Sequence, residues 1–193
     1  MIKAIIFDFF GVISTRGLAQ FRRDYVKGDD AKNKQIRKLK DLLNIGQIGY
    51  DDFIDGLVKI SGASRDTVLG YTEEYQPNSE LLDYIRAKLK SKYKIGIISN
   101  SGADWVEKII GDDKRLFDDI VLSYQTGHTK PDAEIYQLSV KNLGVKPGEC
   151  VFIDDIRTYC EGAEKVGMES IWYRGFEGFK RQLEELLPAV PDN

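Results

Sequence analysis

The sequence predicts an α/β fold built on a parallel, doubly wound sheet, with a smaller all-helical module inserted near its start. Three observations carry this expectation. Short apolar runs of strand length recur along the chain and end on polar residues. Stretches with apolar residues at helical spacing separate them. Between Leu18 and about Tyr75 the texture turns to dense charge at helical spacing, with no convincing strand.

The first strand is Lys3 to Phe7, rich in Ile and Phe, which ends on Asp8 and breaks at Gly11. Ser14-Thr15-Arg16-Gly17 is polar and glycine-bearing, hence a loop. Within the helical module, Ile36, Leu39, Leu42 and Leu43 mark one helix, and Phe53, Ile54, Leu57, Val58 and Ile60 mark a second. Ser64 offers an N-cap for a third, short helix through Val68 and Leu69. Asn78 can cap the helix that carries Leu81, Leu82, Ile85 and Leu89. A second strand follows from Tyr93 to Ile98 and ends in Ser99-Asn100-Ser101-Gly102.

Thereafter strand and helix alternate. Trp105 to Ile110 reads as a helix and Asp119 to Ser123 as a strand. Pro131 sits where a helix begins, with Ile135, Tyr136, Leu138 and Leu143 on its buried face. Cys150 to Ile153 is a strand closed by Asp154-Asp155. A helix at Cys160 to Val166, a strand at Ser170 to Tyr173 and a helix at Phe176 to Leu187 complete the pattern. Five strands alternating with helices imply parallel pairing, since parallel neighbours need a crossover between them.

Composition narrows the function. The chain has 193 residues, which suits one full domain with an insertion. Lys plus Arg number 28 against 31 for Asp plus Glu, so no basic excess marks a nucleic-acid or anionic-membrane surface. Local groups must meet any anionic substrate. The amino end lacks a signal-peptide pattern, and no apolar run reaches membrane-spanning length. Cys150 and Cys160 form no CxxC or zinc-like spacing, which suits a reducing compartment, and the cytoplasm is expected.

Right-handed crossovers bring all strand carboxyl ends to one edge of the sheet. Asp8, Ser99, Asn100, Lys130, Asp154 and Asp155 are therefore expected to be neighbours. Crowded carboxylates repel unless a cation lies between them, and an all-oxygen site suits Mg²⁺. Ser99 with the following helix start supplies donors for an anion, and Lys130 supplies its counter-charge. A carboxylate nucleophile, a hard metal and a positive clamp point to phosphoryl transfer.

Asp8 in "IIFDFFGVI", Ser99 in "IGIISNSG", Lys130 in "TGHTKPDAEIY" and the Asp pair in "VFIDDIRTYCEGAEKVG" resemble the four ordered motifs of the haloacid dehalogenase superfamily. The helical stretch between the first two motifs resembles that family's first-position cap. The resemblance implies a Rossmann-like core of residues 1–15 and 77–193 with strand order 5-4-1-2-3, and a helical cap of residues 16–76. It implies a Mg²⁺-dependent phosphatase acting on a small phosphorylated metabolite through an aspartyl-phosphate. Asp8 would be the nucleophile. Ser99 and the amide of Asn100 would bind the phosphoryl group, and Lys130 would offset charge. Asp8, Asp154, Asp155 and the main-chain carbonyl of Phe10 would hold the metal.

One position departs from the family pattern. Two residues after the nucleophile, its phosphatases carry an aspartate that protonates the leaving group, and here stands Phe10. Loss of positioned acid–base help costs roughly 10²–10⁴-fold in rate. The family's dehalogenases carry an aromatic tyrosine there, which makes 2-haloacid hydrolysis an alternative. A non-catalytic protein that binds phosphate-like ligands is another. Thr158 and Tyr159 stand where many relatives have an Asn or Asp near the last motif.

Other candidates have plainer readings. His128, the one histidine, sits in a glycine-bearing loop and reads as a surface residue. Arg16, Arg22 and Arg23 lie near the entrance of the helical module, where helix arginines are usually solvated. The basic run from Lys32 to Lys40 reads as a solvated face, and Trp105, Trp172 and Tyr173 as core.

Overall fold

The computed structural model describes residues 1–14, 17–73, 75–102 and 105–187. Thr15 and Arg16, at the expected entrance of the helical module, lie outside the described residues. The predicted sheet is present: five strands, all parallel, in the order β3-β2-β1-β4-β5. Read from its other edge this is the expected 5-4-1-2-3.

Strand β1 (Ala4–Phe7) is central and buried at every position. A strand covered on both faces and flanked by neighbours on both edges carries no polar side chain, and this explains its Ala-Ile-Ile-Phe sequence. Burial of Ile5 and Ile6 contributes about 1.5–3 kcal/mol each. Strand β1 pairs with β2 (Lys94–Ser99) on one side and with β4 (Cys150–Asp154) on the other. Strands β3 (Asp119–Leu122) and β5 (Glu169–Trp172) form the edges.

The chain turns sharply after β1. Gly11 has φ 103°, which favours glycine; its N–H donates to the Ser14 carbonyl at 2.7 Å, and the Ser14 N–H donates to Phe9 at 2.8 Å. Four helices follow: α1 (Gly17–Tyr25), α2 (Asp30–Asn44), α3 (Tyr50–Ser61) and α4 (Arg65–Glu73). They enclose a small core of their own around Phe21, Ile36, Phe53, Ile54, Leu57 and Val68. The sequence reading gives three helices here. The extra one, α1, buries Phe21 fully, but Arg22, Arg23 and Asp24 beside it blur its apolar stripe. Ser64 caps α4 as expected, with its Oγ accepting from the Thr67 N–H at 3.1 Å.

The return to the sheet is tied to the departure. Ser14 bridges both Phe10 and Pro77, the Asn78 N–H donates to Ile13 at 2.8 Å, and Asn78 Nδ2 donates to the Val12 carbonyl at 2.9 Å. Asn78 also caps α5 (Ser79–Tyr84), as expected, and a π-turn over Ile85–Leu89 keeps Ile85 and Leu89 buried. Beyond β2 come α6 (Val106–Ile110), β3 and α7 (Ser123–Thr126). Then α8 (Ala133–Leu143), β4, α9 (Arg157–Lys165), β5 and α10 (Phe176–Leu186) close the chain.

Two expectations are corrected. Pro131 lies in a turn, closed by the Asp132 N–H on the Thr129 carbonyl at 2.8 Å, and α8 starts two residues later at Ala133. Trp172 is 37% exposed, because β5 is an edge strand; its indole N–H donates to the Asp155 carbonyl at 3.0 Å, and Arg174 lies over its ring.

Candidate active site

The sheet's register places the predicted residues. Phe7 pairs with Ile153, so the next residue on each strand, Asp8 and Asp154, emerges side by side; the Asp8 N–H donates to the Ile153 carbonyl at 2.7 Å. Phe7 also pairs with Ile97, which puts Ser99 beside the segment that follows Asp8. Lys130 comes from the loop between α7 and α8 and is completely buried as a side chain. Its Nζ donates to Asp8 Oδ1, and to Asp154 Oδ2 at 2.7 Å. Asp154 Oδ1 accepts the Ile156 N–H at 2.8 Å, so both its oxygens are engaged.

A buried charge persists only when it is paired. Burial pulls the Lys130 pKa down, but Asp154 and Asp8 outweigh it and hold the ammonium above the usual lysine range. Burial, and then the negative Asp8, push Asp154 up to about 7 against the opposing pull of Lys130. The three carboxyl groups of Asp8, Asp154 and Asp155 each place an oxygen within 4.8 Å of the others, a donor set that suits a hard divalent cation. Ser99 Oγ is fully buried and has no hydrogen-bond partner among the described residues. An unmade bond at a buried hydroxyl costs about 1–3 kcal/mol, so a ligand oxygen is the natural partner.

Asn100 has a clear structural task. Its side chain grips the Lys130 backbone from both sides: Oδ1 accepts the Lys130 N–H at 2.8 Å, and Nδ2 donates to the Lys130 carbonyl at 2.9 Å. That clamp fixes the loop carrying the lysine. Tyr159, which the motif pattern gives no role, touches both members of this clamp. Asn100 Nδ2 also reaches its hydroxyl at 3.4 Å, and Lys130 Nζ lies 5.1 Å from its ring centre. Burial raises the Tyr159 pKa, so the phenol is protonated.

Above Asp8 opens a cavity of about 140 Å³ between the strand tips and the helices of residues 17–73. Asp8, Phe10, Asn100 and Tyr159 line its floor. Tyr50, Phe53, Tyr75 and Trp105 line its wall, with Arg22 from α1 and Lys40 from α2. Phe10 therefore points into the site, with its ring 4.9 Å from that of Tyr75. Arg22 and Lys40, read from sequence as solvated, belong to the cavity; Arg23 and His128 are exposed and do not line it. Trp105 is buried, as expected, and lines the cavity as well. Sequence offered no signal for this wall, because aromatic residues at helical spacing look the same in a core.

Comparison with known proteins places the sequence and its fold. The sequence pattern of the haloacid dehalogenase-like hydrolase family matches residues 2–167. A D-ribitol-5-phosphate phosphatase of Bacteroides thetaiotaomicron is 27% identical over 207 aligned positions, covering 97% of this chain and 99% of that protein. A glyceraldehyde 3-phosphate phosphatase of Methanopyrus kandleri is 24% identical, covering 90% of this chain and 84% of its own. A haloacid dehalogenase-family enzyme of B. thetaiotaomicron, solved with magnesium and inorganic phosphate, superposes with TM-score 0.69 at 24% identity over 89% of this chain and 93% of its own. A solved dehalogenase shares the fold equally well, with TM-score 0.70 at 19% identity over 98% of both chains. With the four motif segments gathered at one sheet edge and the family pattern spanning most of the sequence, this chain belongs to the haloacid dehalogenase-like hydrolases.

Proposed function

We propose that the protein is a Mg²⁺-dependent phosphatase of small phosphorylated molecules, with Asp8 as nucleophile and residues 16–76 as a cap over a core of residues 1–15 and 77–193. The observation that carries this reading is the partnerless, buried Ser99 hydroxyl beside a lysine held between two carboxylates. An anion at that point completes the hydrogen bonding of Ser99 and meets the positive charge of Lys130. The phosphatases among the relatives support the same class.

Lys130 occupies Asp8 Oδ1, which leaves Oδ2 to attack. Attack on phosphorus forms a new P–O bond and breaks the ester P–O bond, and the departing oxygen takes a proton from solvent. Water then attacks the phosphorus of the aspartyl-phosphate, loses a proton to solvent, and releases inorganic phosphate and free Asp8. Ser99 Oγ and the Asn100 amide orient the phosphoryl oxygens, while Lys130 balances their charge. The carboxylates of Asp8 and Asp155, with the Phe10 carbonyl, would hold Mg²⁺, and Asp154 steadies Lys130 beside them. Bound there, the ion supplies neutralising charge to the transferring group. Buried thiols, pushed by burial to about 12 at Cys150 and about 11 at Cys160, fit a protein of the reducing cytoplasm.

Phe10 favours a second reading, hydrolysis of a 2-haloacid, because it lines the cavity at the position where the family's dehalogenases carry an aromatic residue, and that reaction needs no Mg²⁺. One assay separates the two. Phosphate esters and an acyl phosphate with and without Mg²⁺, and 2-haloacids without metal, are offered to the wild type and to Asp8→Asn. Phosphate release that needs Mg²⁺ and falls by at least about 10³-fold in the variant is expected. Equal turnover by both proteins sinks the mechanism, halide release promotes the dehalogenase, and phosphate binding without turnover leaves a non-catalytic protein.

A further inference from the structure

The cavity is built to hold more than a phosphate. Tyr50 and Trp105 meet edge to face at 4.9 Å, Tyr75 and Trp105 lie 5.8 Å apart, and Phe10 packs on Tyr75. Continuous ring surface of this kind favours a flat or apolar carbon body. The Tyr50 hydroxyl is already spent on Thr72 Oγ1 at 2.9 Å, and that oxygen donates in turn to the Val68 carbonyl at 3.0 Å. Neither is aimed at a string of ligand hydroxyls.

Among the described residues the charge on the wall is of one sign. Among the described lining residues Asp8 is the one acid, and across from the strand tips stand Arg22 and Lys40. The Arg22 Nε–H donates to Asn33 Oδ1 at 2.8 Å, which fixes the guanidinium plane. Among the described residues no carboxylate pairs with it. Burial and the neighbouring Arg37 depress its pKa, as for a cation that lacks a counter-ion. A planar fork held this way is suited to a carboxylate.

We propose that the site binds the monophosphate ester of a small hydroxy acid with an aromatic or otherwise apolar body, its phosphate toward Asp8 and its carboxylate on Arg22. This rests on the phosphatase reading and narrows it. The cavity volume of about 140 Å³ is small beside the roughly 300–1,000 Å³ of drug-sized pockets, so the body is no larger than a single ring. It also separates this chain from a polyol phosphatase, whose ligand would present hydroxyls to these rings.

The test compares 4-carboxyphenyl phosphate, its carboxamide analogue and a pentitol phosphate, each with Mg²⁺. The wild type is expected to favour the acid over the amide by about 10- to 100-fold in kcat/KM, the worth of one charged hydrogen-bonded contact, and to handle the pentitol ester least well. In Arg22→Gln the acid-to-amide ratio falls toward one, chiefly through KM, and Arg22→Lys restores part of it. Equal handling of acid and amide by the wild type, or an unchanged ratio in Arg22→Gln, overturns the inference. If no ester turns over, calorimetry with 4-hydroxybenzoate reads the same contact. Binding that is lost in Arg22→Gln and partly regained in Arg22→Lys upholds the carboxylate site while the phosphatase reading falls. Binding indifferent to Arg22, or none, removes both.

Discussion

The floor and the roof of the cavity are built on opposite plans. The floor is charged, and its side chains hold one another: Lys130 binds Asp8 and Asp154, and Asn100 binds the Lys130 backbone. Each comes from a strand's last residue, from the residues just beyond a strand end or from the loop that Asn100 clamps, so the parallel register sets the place of the strand-end groups. The roof is a set of rings and two cations: Arg22, Lys40, Tyr50 and Phe53 come from α1, α2 and α3, and Tyr75 and Trp105 from segments between helices. The contrast assigns different work to each. A floor whose groups hold one another suits the bond-breaking step proposed for it, where misplacement by an ångström is costly. A roof of interchangeable apolar contacts suits choice of ligand and tolerates substitution better.

The comparison is sharpened most by giving the floor the carboxyl group it lacks. Phe10→Asp is expected to raise phosphatase turnover by roughly 10²–10⁴-fold, read as kcat on an alkyl phosphate, since Phe10 lines the cavity with Asp8 and the substitution would add a proton donor there. A rate unchanged from wild type would show that the floor lacks more than a proton donor. Breaking the floor comes next. Lys130→Met leaves Asp8 and Asp154 facing each other without their cation, and urea unfolding is expected to show a loss of about 3–5 kcal/mol.

Where floor meets roof, a smaller effect is expected. A methyl group at Gly102 would lie 2.0 Å from Leu43 Cγ and 2.8 Å from the Leu43 carbonyl, so Gly102→Ala must push α2 off the strand tips. A loss of about 1–3 kcal/mol in thermal or urea unfolding checks that closeness. The smallest change lies away from both. Burial alone would raise the Asp118 carboxyl, but the Ile95 N–H at 2.8 Å and Lys90 at 2.9 Å outweigh it and hold it below its ordinary 3.8. A depressed carboxyl stabilises the fold above its unfolded pKa, and the gain is lost as pH falls through the folded value. Asp118→Asn is therefore expected to cost about 1 kcal/mol near neutral pH, with the difference from wild type shrinking as the pH falls through the carboxyl's lowered folded value.

The floor was largely legible in the sequence because its residues occupy positions where the pattern itself changes. A run such as Ala4 to Phe7 must end where water begins, and a charged residue at that point stands out. Asp8, Ser99 and Asp154 stand out this way, Lys130 stands out by its place before Pro131 and its motif, and the structure gathers all four. The clamp made by Asn100 was not legible, since it depends on a loop thirty residues further on reaching back to one side chain. Tyr159 was noticed for what it replaced, and its contacts with Asn100 and Lys130 emerged from the fold. Arg22 and Lys40 were read as solvated because helical spacing says which residues share a face and not what that face meets. Trp172 was misread for the converse reason: an edge strand looks like a central one in sequence but covers only part of its residues.

Ser14 and Asn78 have a topological consequence. The chain that leaves the sheet and the chain that comes back are stitched together there, by a bridge from Ser14 to Pro77 and by two bonds from Asn78. Everything between begins and ends at nearly the same point in space. A loop of any length whose ends already touch adds little closure entropy to the fold that carries it. The helical insert can thus be lengthened, shortened or exchanged without re-threading a single strand, which leaves the strand tips that carry Asp8 and Asp154 in place.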